Sequence, residues 1–281
     1  MEQAFSTLAI ISGFLGGWLG LWGIVAIPLG LKLGWRPFRP TPPEQKLALL
    51  LPLYLLAPIV ISFANQQLGQ TWADQGWDWA RASLIDGIWG WGIAIAGLSL
   101  LLLLKRRFGL ISFAAPAIIP PAAGRHIIQG LGKHLLAMLG LGMLGTVIGG
   151  AEEIVFRGWL QTQLEMTASP WLAAITASLL FALAHLIWDG PDGLWQQPGL
   201  WLLGMVLVWA RWVDGGMIAL AWGLHAGWVT GLAYIGEFVQ PLPTADKPMW
   251  LTGRAQQPLT DVFDLALLLL TAILFTQFSM G

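Results

Sequence analysis

The chain has 281 residues, 56% of them hydrophobic and only 10% charged, with a formal net charge of −1 and a mean hydropathy of +0.69. Soluble domains carry about 25% charged residues, so the composition excludes a soluble protein and implies an all-α, polytopic membrane protein. No basic stripe offers a footing for nucleic acid, and the absence of cysteine excludes disulfides and thiolate metal sites.

A spanning helix needs about 20 apolar residues. Met1-Glu2-Gln3-Ala4-Phe5 has no basic n-region, and the apolar run after it is too long for a signal peptide, so it is expected to remain as a transmembrane helix. Apolar runs near 7–31, 47–64, 84–104, 131–152, 171–188, 199–213, 215–235 and 261–279 predict eight spans, the fourth continuing through Arg157. The 171–188 and 199–213 runs are short and are expected to be tilted or shielded by neighbours. With no internal repeat or low-complexity linker, residues 1–281 read as one domain. Glycines such as Gly13, Gly16, Gly17 and Gly20, or Gly140, Gly142, Gly145, Gly149 and Gly150, predict close helix contacts.

The loops give an orientation. Lys32, Arg36, Arg39 and Lys46 lie in the 32–46 loop, and Lys105, Arg106, Arg107, Arg125 and Lys133 in the 105–133 loop. This bias predicts that both face the cytoplasm, with the 65–83 loop and both termini on the other side. Pro116, Pro120 and Pro121 forbid one continuous helix across 105–133, which reads as a broken element on the membrane surface. Tryptophans Trp72, Trp77 and Trp79, then Trp188, Trp195 and Trp201, then Trp209 and Trp212 fall where interfacial aromatic belts are expected, in contact with lipid.

The chemistry concentrates at Gly149-Gly150-Ala151-Glu152-Glu153-Ile154-Val155-Phe156-Arg157, at the end of the fourth apolar run. Two adjacent carboxylates and an arginine are costly at membrane depth and need partners or a function. On a helix Glu153 and Arg157 are four apart and can pair. Glu152 points about 100° away, has no local partner, and is suited to act as a general base. Of four histidines, His126 and His134 sit in or beside the basic loop and read as interfacial. His185 and His225 lie inside separate apolar spans. Together with Glu152 they suggest one shared polar site, where neutral imidazoles bind a divalent metal or orient a water. Phe181, four residues before His185, shares its helix face.

Glu152-Glu153-Ile154-Val155-Phe156-Arg157 fits an EExxxR motif, Phe181 to His185 fits FxxxH, and His225 follows as a third-motif histidine. This ordered trio resembles the CPBP intramembrane proteases, which include the type II CAAX prenyl endopeptidases and bacterial self-immunity relatives. The resemblance runs from about Gly149 to Ile235 and makes 131–235 the catalytic core. It implies Glu152 as the base that activates water, His185 as its positioning partner, and Glu153 and Arg157 as supporting residues. His225 would stabilise the oxyanion or, alternatively, join Glu152 and His185 as ligands of an open zinc-type site. The implied substrate is a membrane-associated polypeptide, lipidated in the CAAX branch.

One position departs from the pattern. The family's last histidine often begins HxxxN, whereas Val229 stands at that place; the only asparagine, Asn65, falls in a predicted loop. Thr230 is the nearest polar substitute, although a helix points it about 100° away from Val229. Two other readings follow from the same residues: a non-catalytic scaffold or immunity relative, and a transporter or proton relay built on the buried Glu, His and Arg.

Overall fold

The computed structural model describes residues 2–78, 80–113, 124–254 and 257–278. The helices, in order, are α1 (Glu2–Leu33), α2 (Pro43–Leu68), α3 (Arg81–Arg107), α4 (Gly124–Glu153), α5 (Gln161–Glu165), α6 (Pro170–Asp189), α7 (Gln197–Val213), α8 (Ala219–Tyr234), α9 (Met249–Thr252) and α10 (Val262–Phe278). A π-helical segment, Ile154–Leu160, joins α4 to α5 without a break. Two residue pairs form the antiparallel β1 (Ile111–Ser112) and β2 (Leu242–Pro243). Each of the eight predicted apolar runs corresponds to one long helix.

Five segments among the described residues are long and apolar enough to cross a membrane: Ser6–Leu33, Pro43–Leu68, Ser83–Arg107, Gly132–Glu165 and Pro170–Val213. The last contains both α6 and α7, and Val262–Gln277 is a shorter apolar helix. The protein is an integral membrane protein. Local signals set several boundaries. Ser169 caps α6 by accepting the Leu172 N–H, with Pro170 at the first helical position. Gly69, at φ 64°, ends α2 in a left-handed cap that other residues adopt reluctantly.

Helix α8 is held between α3 and α4 by backbone-to-backbone approach. A Cβ on Gly223 would fall 2.9 Å from Gly87 Cα, and one on Gly149 would fall 2.9 Å from the Ala226 nitrogen. Small residues let these helices close. The same expectation fails for α1: a Cβ at Gly13, Gly16, Gly17 or Gly20 would meet nothing within 4 Å. Helix α1 instead docks through aromatic side chains. Trp18 and Trp22 donate their indole N–H groups to the carbonyls of Leu53 and Leu49 on α2, at 2.9 and 2.8 Å. One turn earlier, Phe14 stacks on Trp159 at 3.9 Å.

Several expectations are corrected by tertiary packing. Trp188 is buried against Trp22 and Trp35 rather than placed in a belt, and Trp77 stacks on Trp222. Trp195 does lie exposed, with the Arg254 guanidinium 4.8 Å above its ring. Trp79 and the prolines 116, 120 and 121 lie outside the described residues. Asn65 is not in a loop: it is buried in α2 and accepts a hydrogen bond from Gln75. Lys105 contributes little to loop charge, because it is buried between Asp261 at 2.6 Å and Asp264 at 2.5 Å, tying α3 to the start of α10.

The turn before α8 carries a pH-sensitive group. Asp214 accepts the Leu220 N–H at 3.1 Å, and burial, reinforced by nearby Asp86, pushes its carboxyl up to about 6 from 3.8. The folded state therefore holds this proton more tightly than the unfolded chain does. Its stabilising effect is complete below pH 4 and is lost as pH rises through about 6. Asp214→Asn, which stays neutral, should raise the melting temperature at pH 8 by roughly 2–4 °C after allowance for solvent screening. The gain should shrink toward zero near pH 4, as thermal scans of both forms will read.

Candidate active site

The three sequence motifs converge where α4 ends, beside α2, α6 and α8. The π-helical segment begins directly after Glu153. Such widened turns are common at functional sites, and this one carries Arg157 inward. Glu153 and Arg157 have fully buried side chains and pair at 2.9 Å. The guanidinium also lies 4.2 Å above the Phe181 ring, a cation–π contact strengthened by desolvation. Phe181 meets Phe156, His185 and His225 edge-on, with centroids 5.4, 4.8 and 5.7 Å away. The aromatic ring of FxxxH is thus the wall that both imidazoles and the arginine share.

The two imidazoles differ in what fixes them. His185 Nδ1 lies 2.9 Å from the Phe181 carbonyl. A carbonyl only accepts, so Nδ1 carries the proton and Nε2 presents its lone pair. His225 Nδ1 lies 2.8 Å from Glu153 Oε1 and donates to it, while its Nε2 stands 3.5 Å from Glu152 Oε2. Glu153 thereby orients His225 and fixes which ring nitrogen carries the proton toward it. The Glu152 side chain is 13% exposed, against 0% for Glu153. Of the two acids, Glu152 is the one that keeps accessible surface.

Thr230 is buried, and its hydroxyl reaches the Ala226 carbonyl at 2.7 Å and the Leu141 carbonyl at 3.3 Å. The first contact lies within α8, and the second joins α8 to α4. Val229 brings no hydrogen-bonding side chain to the turn after His225. His134, read as interfacial, is exposed and lies 3.0 Å from the Tyr234 hydroxyl; the side chain of His126 is outside the described set.

One residue was missed. Tyr54, on α2, is buried and hydrogen-bonds Glu152 Oε1 across 98 positions of sequence. The available signal was its rarity: it is one of two tyrosines in the chain and sits in an apolar span between Pro52 and Pro58. A buried phenol needs a partner.

Among the described residues, no group of three or more His, Asp or Glu side chains is arranged to hold a metal ion. Tyr54 occupies Glu152 Oε1 and Glu153 occupies His225 Nδ1, contacts of the kind that also orient metal ligands through their second atom.

Paired carboxylates, two histidines and an arginine gathered among apolar helices mark a candidate functional site of a helical membrane protein. Residues 134–231 match the family model described as Rce1-like, type II CAAX prenyl endopeptidase Rce1-like. Over that segment, about a third of the chain, the protein is similar to the CPBP family, and the match supports a CAAX-type intramembrane endopeptidase at family level. It runs from α4 into α8 and leaves out α1, α2 and α3. No curated protein and no solved structure matches the chain.

Proposed function

We propose that the protein hydrolyses a peptide bond of a membrane-associated or lipidated polypeptide by a metal-free glutamate–histidine mechanism. The observation that carries this reading is the division of labour between adjacent carboxylates. Glu153 is fully buried and committed to Arg157 and His225, while Glu152 keeps one oxygen facing the His225 Nε2. A water would be held by two acceptors, Glu152 and His185 Nε2. Glu152 takes its proton as the oxygen attacks the scissile carbonyl, and protonated His225 donates from Nε2 to the developing oxyanion. Collapse breaks the C–N bond, and Glu152 returns the proton to the leaving amine. Val229 removes a side-chain donor from this scheme, and one lost oxyanion donor typically costs about 10²–10³ in rate, so turnover is expected to be slow.

Val229 also favours a second reading, a non-catalytic relative that keeps the motif as a polar core. The test separates them. Peptide termini are compared in membranes holding equal amounts of the wild type or Glu152→Ala. New termini found only with the wild type support the protease and identify its substrate. Identical sets, with folded protein present in both, favour the scaffold.

A further inference from the structure

Catalytic geometry in a membrane bundle depends on what fixes the carboxylate, and the motif residues do not fix Glu152. Its neighbour is held by an arginine and a histidine, whereas among the described residues Glu152 Oε1 takes its hydrogen bond from the Tyr54 hydroxyl. Tyr54 in turn is set by two indole anchors. The Trp18 and Trp22 contacts fall on carbonyls one helical turn apart, Leu53 and Leu49, so they define both the height and the rotation of α2. Leu53 is the residue adjacent to Tyr54. The same face of α1 carries Phe14, stacked on Trp159 two residues beyond Arg157. One helix thus braces the tyrosine and the π-helical segment that follows the glutamates.

We infer that Tyr54 is a positioning residue for Glu152: its hydroxyl holds Oε1 and leaves Oε2 as the oxygen that meets water and faces His225. This rests on the hydrolytic reading above and adds to it a residue from outside the matched segment 134–231. Without the hydroxyl, the carboxylate rotates about its last side-chain torsion, which is broad for glutamate, and the base no longer has one fixed oxygen. Misplacement of a catalytic group by about 1 Å can cost about 100-fold.

The experiment compares wild type, Tyr54→Phe and Glu152→Gln as full-length protein in lipid vesicles, with a cleaved peptide identified from the termini comparison. Phenylalanine keeps the ring in its packing site, so substrate binding should persist. The expected result is a 10- to 100-fold lower kcat with KM unchanged and the thermal midpoint near that of the wild type. An unchanged kcat in Tyr54→Phe, beside an active Glu152-dependent wild type, overturns the positioning role and leaves the protease reading standing. Cleavage that is equal in wild type and Glu152→Gln overturns the protease reading instead. A spectroscopic measurement decides the contact independently of turnover and tolerates a less stable variant. The infrared carboxylate stretch assigned to Glu152, by its loss in Glu152→Gln, should shift in Tyr54→Phe. An unmoved band overturns the proposal.

Discussion

Glu152→Gln should lower kcat by about 10²–10⁴-fold, the usual contribution of a positioned general base, with little change in KM or thermal stability. Glutamine has the same shape, and its carbonyl oxygen can still accept from the Tyr54 hydroxyl that meets Oε1. The lost property is the ability to take a proton from water. Glu153→Gln, one residue away, should behave differently. It removes the charge that Arg157 pairs with at 2.9 Å and that His225 Nδ1 donates to at 2.8 Å, so both stability and activity should fall. Kinetics and thermal scans on the two purified variants read this contrast. If Glu152→Gln cleaves at the wild-type rate, the base is elsewhere and the proposed roles of the two acids are wrong.

How much of this was legible in the sequence depended on distance along the chain. The run 171–188 predicted α6 within a residue at each end, because Ser169-Pro170 opens the helix and Gly190 follows it. The Glu153–Arg157 pair was equally legible, since four positions bring two side chains onto one face. Long-range partners were not. Glu152 appeared to lack a partner because Tyr54 lies 98 residues earlier, on a helix whose rotation is set by the α1 tryptophans. His225 resting on Glu153 spans 72 positions. Composition also misled where burial decides meaning. Trp188 has the same local context as an interfacial tryptophan, yet it is buried in an aromatic cluster. The glycines of α1 resemble those of α4, yet of the two sets only Gly145 and Gly149 face another backbone closely, while Gly140 and Gly142 are as open as those of α1.

The largest stability effect should come from Arg157. Arg157→Met leaves Glu153 fully buried with its ion-pair partner gone, and breaking a buried pair from one side costs about 3–5 kcal/mol. The Phe181 ring also loses the cation 4.2 Å above it. The paired variant Glu153→Gln with Arg157→Met removes both charges, and replacing a whole buried pair is often close to neutral. Most of the lost stability should therefore return in the double variant, a coupling that denaturant titration of the wild type, both singles and the double will measure. Activity should not return with it. His225 Nδ1 would have lost the carboxylate that fixes its orientation and tautomer, so the imidazole would no longer be aimed at the oxyanion. A double variant that regains both stability and turnover would show that the buried pair serves the fold alone. Stability regained without turnover would instead mark Glu153 as the group that sets His225, which is the role its complete burial between arginine and histidine supports.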